Sequence, residues 1–261
     1  MTLNQFSQEI YNRYGIIKRA RNCFLYTQKN IRLTDCFQEN GRAILGWEGG
    51  SAFTQFKNVL SRGQVGSFIT EDAPRINKAV SSLLASDRKV YFFSTKIEAL
   101  KAGLFLSNEN TSFYKPWTGI DWSKTDSVII QPPLPWTNTI FLLAVKSELI
   151  QETETNIFQN QINIPFALNV AITRAIYNLI AELQTREEKN WFIYDTILTK
   201  YFERKGPYLK PKMDEKKYDD FVLHCLDLGI VINPNYNEDS IIPFGADKGV
   251  FTCLKNSPFL Y

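Results

Sequence analysis

Ser94, Thr95 and Lys96 are the residues of this sequence whose types and spacing first suggest chemistry. They follow a strand-like run, Tyr91-Phe92-Phe93, and open a helix-like pattern in which Ile97, Ala99, Leu100, Ala102 and Leu104 recur. A strand that stops at Ser-Thr and turns into a helix leaves free backbone N–H groups at the helix start, and the positive end of the helix dipole points the same way. Two hydroxyls and an ammonium at that place suit an anion, such as a phosphate. The same residues allow a second reading. Thr95 and Glu98 have the spacing of a capping box, and Glu98 would then set its own carboxylate where the anion should go.

The other reactive groups are few. His224 is the one histidine, and it lies in a helix pattern, "YDDFVLHCLDLG", which reads as a half-buried helix histidine. None of Cys23, Cys36, Cys225 and Cys253 sits in a Cys-x-x-Cys pair, so neither a metal site nor a redox motif is expected. No Walker-type loop, Gly-x-Ser-x-Gly or Gly-x-Gly-x-x-Gly is present. Lys146 closes the apolar run "TIFLLAVK". Arg42 lies in "ENGRAILGW", and as a surface residue it needs no special explanation.

Charge and hydropathy narrow the class. The 261 residues carry 30 basic and 27 acidic side chains, a net charge of +3. The basic residues are scattered among acids, as in "TREEKNW" and "PKMDEKKYDD", so no nucleic-acid partner is expected. The N-terminus has no apolar signal core, and the apolar run "TIFLLAV" is too short to span a bilayer. No membrane association and a reduced, cytoplasmic setting are the expectations.

The elements that must position these residues fall into three blocks. Residues 2–14 form a helix pattern, and "CFLYTQKNIRLTDCF" reads as a hairpin with a Lys-Asn turn. "SAFTQFKNVLSRG" reads as a helix with Ser51 as N-cap and Gly63 just beyond its end. From residue 71, helix "APRINKAVSSLLAS" with Pro74 in its first turn, strand "KVYFF", helix "IEALKAGLFLSN" and strands "DSVIIQPPLPW" and "TIFLLAVK" alternate, which favours a layer with parallel strands. A long helix, "PFALNVAITRAIYNLIAELQTR", follows. From about 205, "GPYLKP", a helix after Asp214, strands "IVINP" and "IIPFG", and a closing turn and strand in "DKGVFTCLKN" make a small α+β unit. Residues 1–70 and 205–261 should form one small domain, with 71–204 as a reduced α/β domain between them.

This arrangement resembles the fold-type I PLP-dependent enzymes, the aminotransferases in particular. "RNCFLYTQKNIRLTDCFQENGRAILGW" is similar to the family's N-terminal hairpin, and "RINKAVSSLLASDRKVYFFSTKIEALKAGLFLS" to the helix, strand, Ser-Gly-Thr loop and helix that open its large domain. "IPFALNVAITRAIYNLIAEL" resembles the long returning helix, and "CLDLGIVINPNYNEDSIIP" the C-terminal unit. The resemblance implies an α/β, aminotransferase-like fold with a reduced large domain and a small α+β domain built from both chain ends. It also implies that Ser94, Thr95 and Lys96 match the phosphate-binding loop of pyridoxal phosphate, that Arg42 edges the substrate site, and that the protein is a homodimer.

The departures set the functional expectation. The family's glycine in the phosphate loop is Thr95 here. No aspartate for the pyridine nitrogen follows "DSVIIQ", no Ser/Thr-x-x-Lys segment with glycines occurs, and Lys248 is the only cation near the C-terminal position of the carboxylate-binding arginine. The resemblance therefore implies an aminotransferase-like protein without transaminase activity, a binding or partner subunit holding no cofactor or pyridoxal phosphate. An active enzyme using Lys146 or Lys96 is the first alternative. The second is a protein-interaction module without a small-molecule site, for which Trp117, Trp122 and Trp136 would be anchors.

Overall fold

The computed structural model describes residues 1–64, 75–107, 110–150 and 160–260. Helix α1 (Leu3–Tyr14) begins at a complete capping box between Thr2 and Gln5 and ends at Gly15, whose φ of 74° lies in the left-handed region. Three strands follow, β1 (Ile17–Arg21), β2 (Phe24–Thr27) and β3 (Arg32–Asp35). They form an antiparallel meander. Asn22 and Asn30 turn the chain between them with φ of 51° and 59°, a conformation that asparagine tolerates.

Helix α2 (Gly50–Ser61) starts at Gly49, not at Ser51 as the sequence suggests. The Ser51 hydroxyl is engaged sideways instead: it donates to Asn178 Oδ1 at 3.0 Å and accepts from Arg174 Nε at 2.9 Å. Gly63 does turn the chain beyond the helix, with φ 70°. Next come α3 (Arg75–Leu84), β4 (Arg88–Phe93), α4 (Lys96–Leu106), β5 (Thr111–Phe113), β6 (Ser127–Ile130), β7 (Phe141–Lys146) and α5 (Phe166–Thr185). Pro74, expected in the first turn of α3, lies outside the described residues.

The sheet of this block runs β4-β7-β6-β5. It is mixed, not parallel as the alternation suggests: β7 is antiparallel to both β4 and β6, and only β5 and β6 are parallel. Residues 131–140, which join β6 to β7, contain no helix and include Pro132, Pro133 and Pro135. A connection without a crossover helix returns the chain antiparallel. Both faces of β7 are covered, which is why "FLLAV" is apolar throughout. Leu142 and Ala144 pack with Ile76 and Val80 of α3 and Ala171, Ile172 and Ile176 of α5. Leu143 and Val145 pack with Ala99, Ala102 and Leu106 of α4. Helix α5 is long and apolar enough to cross a bilayer by length and composition, yet here it is a core helix of the sheet layer.

One close approach fixes α4 on this sheet. A Cβ added at Gly103 would stand 2.8 Å from Thr111 Cγ2 and 3.1 Å from Leu143 Cδ1. Alanine adds about 1 kcal/mol of helix propensity, but overpacking costs about 1–3 kcal/mol. Gly103→Ala is expected to lower the thermal midpoint, and a rise would refute the close-packing account.

The remaining elements are α6 (Lys189–Phe192), α7 (Asp195–Leu198), β8 (Phe202–Lys205), β9 (Tyr208–Pro211), α8 (Glu215–Asp227), β10 (Ile230–Val231), β11 (Ser240–Ile241) and α9 (Thr252–Asn256). Strand β10 lies parallel to β3, with Ile230 opposite Thr34, and completes the sheet β1-β2-β3-β10. Strands β11, β9 and β8 form a second sheet, and Ile241 N donates to Cys36 O at 2.7 Å. The two chain ends thus share hydrogen-bonded structure. The closing segment is a turn and helix α9, not a turn and strand, because Phe251 and Leu254 bury at helical spacing.

The chain divides into two compact units, Met1–Glu48 with Arg186–Tyr261, and Gly49–Thr185. The sequence puts the divisions after residues 70 and 204. They fall earlier because α2 packs along α5, and because Arg186, past the end of α5, donates to Ile44 O at 2.8 Å.

Candidate functional site

Strand β4 ends at Phe93 and delivers Ser94 and Thr95 to an exposed turn. Thr95 is the N-cap of α4, with extended φ −131° and ψ 150°, and its hydroxyl oxygen accepts from Glu98 N at 3.2 Å. The hydroxyls of Ser94 and Thr95 both donate to Glu98 Oε2, at 3.1 and 3.0 Å. The Thr95 hydroxyl thus caps one N–H of the helix start, and the Glu98 carboxylate stands against the Ser94 and Thr95 hydroxyls, where the sequence left an anion as the other reading. A phosphate at this turn would meet that negative charge and find both hydroxyls committed. Lys96 Nζ lies 4.5 Å from the centroid of the Phe113 ring on β5.

Lys146 lies elsewhere. In the β4–β7 pairing Phe93 stands opposite Phe141, whereas Lys146 stands opposite Arg88. Five strand residues separate the two ends, about 17 Å at ~3.4 Å per residue. Lys146 Nζ is ion-paired to Asp126 Oδ1 at 2.8 Å, and that hydrogen bond is the chief cause holding the Asp126 carboxyl below its ordinary value. The structure brings Ser94, Thr95 and Lys96 together and leaves Lys146 at the opposite end of the sheet.

Arg42 belongs to the other unit, and the surface position expected for it is corrected: its side chain is 3% exposed. Burial lowers its pKa to about 10, with Glu39 opposing that shift. It follows a turn in which Gln38, Glu39 and Asn40 have φ of 47°, 49° and 56°. Non-glycine residues in this region are strained, by about 1 kcal/mol or more each. The turn is held from both sides. Asp35 Oδ1 accepts from Phe37 N at 3.0 Å and Gln38 N at 2.9 Å, and Asn233 Nδ2 donates to Asn40 Oδ1 at 2.9 Å. Asp35 Oδ2 accepts from Trp47 Nε1 at 2.8 Å.

Sequence reasoning passes over Asp35, which is 1% exposed and whose pKa burial pushes up to about 6. Its signal is local: an aspartate at a strand end two residues before a turn can accept backbone N–H groups. Arg88, also 1% exposed, is missed as well. It donates to Ser86 Oγ at 2.7 Å, Asp126 O at 2.7 Å and Trp122 O at 3.1 Å.

Among the tryptophans, Trp136 is 39% exposed and meets Phe53 and Phe56 of α2 edge-on, at centroid distances of 5.7 and 5.0 Å. Trp122 is tilted against Tyr114 at 5.1 Å, and Trp117 is half-buried with φ 59°. His224 is half-buried on α8, with Nε2 2.8 Å from Ser257 O. Among the described residues, no group of three or more His, Cys, Asp or Glu could hold a metal ion.

No protein-family model matches the chain. An uncharacterized protein of Treponema pallidum (strain Nichols) is 22% identical over 289 residues, covering 92% of this chain and 93% of that protein. An uncharacterized protein of Borreliella burgdorferi is 23% identical over 243 residues, covering 90% of this chain and 86% of that protein. Among solved structures, ornithine aminotransferase from Plasmodium yoelii aligns with a TM-score of 0.68 at 13% identity, over 98% of this chain and 97% of that one. Acetylornithine aminotransferase from Elizabethkingia anophelis aligns at 0.65 and 12% identity, over 98% of both chains. At that identity the likeness speaks for the backbone alone. This chain has the mixed α/β fold of the PLP-dependent aminotransferases.

Proposed function

We propose that this protein is an aminotransferase-like scaffold without transaminase activity, a cytoplasmic homodimer that serves as a binding or partner subunit. The observation that carries the reading is the separation of Lys146 from the phosphate turn. Aldimine chemistry needs one lysine beside the cofactor whose phosphate the turn would hold. Lys146 is about 17 Å along the sheet from Phe93, the last strand residue before the turn, and is ion-paired to Asp126. The residues of the turn do not fit a cofactor phosphate, because Glu98 takes both hydroxyls.

An exposed aromatic cluster supports the partner role. Trp136 at 39% and Phe53 at 45% exposure, stacked edge-on, give a surface anchor of the kind that dominates binding energy at interfaces. Arg42, expected at the substrate mouth, is in this reading a structural residue of its turn.

Calorimetric titration with pyridoxal phosphate and with inorganic phosphate tests the proposal, followed by absorbance before and after borohydride. The expected results are no heat from either ligand and no visible band. A band that borohydride abolishes, and that Lys146→Ala or Lys96→Ala removes, would establish the active-enzyme alternative. Light scattering tests the assembly: a monomer at micromolar concentration would overturn the homodimer.

A further inference from the structure

Three arginines near the N-terminus, Arg19, Arg21 and Arg32, are scattered in sequence but adjacent in the sheet. Arg19 on β1 stands opposite Tyr26 on β2, which stands opposite Arg32 on β3; Arg21 stands opposite Phe24. Side chains alternate across a strand. Leu25 and Leu33 are buried at 8% and 0% exposure, so Arg19, Arg21, Phe24, Tyr26 and Arg32 share the opposite, outward face. All three arginines are exposed and both rings are half-buried.

The guanidinium groups are laid on the rings. Arg19 Cζ is 4.3 Å from the Tyr26 centroid, and Arg32 Cζ is 4.4 Å from the Phe24 centroid. Neither makes a hydrogen bond or an ion pair among the described residues. Each exposed cation is therefore held on a ring with its N–H donors uncommitted within the described residues. Arg21 is paired with one carboxylate, Glu48, at 3.6 Å.

We propose that this sheet face binds single-stranded nucleic acid. The in-plane donors match phosphate oxygens in a two-pronged geometry, and the outer faces of the stacked guanidinium planes and ring edges offer stacking surface to bases. Charge alone would also suit an acidic peptide. An added peptide strand would have to pair along β1, whose register shifts between Ile17 and Arg19, and such irregularities disrupt edge pairing. A peptide also has no use for the flat cation surfaces. The small net charge of +3 hides this face, because it counts the arginines without their register.

The test is fluorescence anisotropy of a labelled oligothymidylate of about twenty nucleotides, titrated with the full chain at several salt concentrations. With three phosphate contacts, log K should fall against log salt with a slope of about −2, at ~0.7 per contact. Arg19→Ala with Arg32→Ala should weaken binding about tenfold or more and bring the slope to about −0.7. Arg19→Lys with Arg32→Lys keeps the charge and loses the planes, so the slope should persist while affinity falls about fivefold. Lys216→Ala with Lys217→Ala removes the same charge from exposed positions on α8 and should leave binding unchanged. Circular dichroism of each variant confirms that the exposed substitutions leave the fold intact. Absence of binding at about 50 mM salt would overturn the proposal. So would a double lysine variant that binds like the parent, or competition by polyglutamate equal to that by the unlabelled oligonucleotide, which would identify an acidic-peptide surface.

Discussion

Replacing Asp35 by alanine is expected to destabilise the unit that contains it by about 3–5 kcal/mol at pH 4–5, and by less at neutral pH. The carboxylate accepts from Phe37 N, Gln38 N and Trp47 Nε1, and alanine leaves all three without that acceptor. An unsatisfied buried donor costs about 1–3 kcal/mol. The pH dependence follows from the pKa of about 6, raised chiefly by burial above the ordinary 3.8. The folded state then holds the proton more tightly than the unfolded chain. The contribution of Asp35 is fully present below about pH 4 and declines as pH rises through 6, by ~3 kcal/mol at ~1.4 kcal/mol per unit. The penalty of Asp35→Ala should shrink over that window. Burial also raises Glu39, so wild-type stability alone would blend the two groups. Urea unfolding of parent and variant side by side from pH 4 to 7 isolates Asp35 by difference. A penalty that grows with pH would refute the burial account.

The sequence is informative where short-range physics decides the outcome. Thr95 and Glu98 have capping-box spacing, and the cap forms because it needs only neighbouring residues and a helix start. The hairpin is legible for the same reason: Asn30 accepts φ 59° at the turn between two strands of matched alternation. Strand β1 is not legible, because "IKRAR" shows no apolar alternation on an exposed edge. The parallel pairing expected of the central sheet fails on a non-local choice, the antiparallel return of β7. That same register carries Lys146 away from Ser94, so the elements of the proposed site were visible while their distance was not. Arg42 shows the converse limit. A charged residue beside glycines reads as surface, but the left-handed turn at Gln38–Asn40 folds it inward to 3% exposure.

Replacing Arg88 by alanine should cost about 3–5 kcal/mol, measured by urea unfolding and by faster amide exchange in β4 and β7. The side chain is buried, and its guanidinium satisfies Ser86 Oγ and the carbonyls of Trp122 and Asp126. Alanine removes these donors and leaves a cavity. Arg88→Met fills the space without the donors, and under-satisfied carbonyls are tolerated better than orphaned N–H groups, so about 2–3 kcal/mol is expected. Equal losses in the two variants would mean that the hydrogen bonds, and not the filled volume, set the cost. Lys146 extends the argument. It stands opposite Arg88, its backbone N donates to Asp126 O at 3.0 Å, and its ammonium pairs with the Asp126 carboxylate. Two side chains that share one partner residue should not act independently. Lys146→Ala alone should cost about 1 kcal/mol for a half-buried pair, and the double variant should differ from the sum of the singles by about 0.5–2 kcal/mol. Coupling of that size is what a structural lysine at the sheet end requires. Strict additivity would detach Lys146 from the Arg88–Asp126 network and weaken the reading of it as structural.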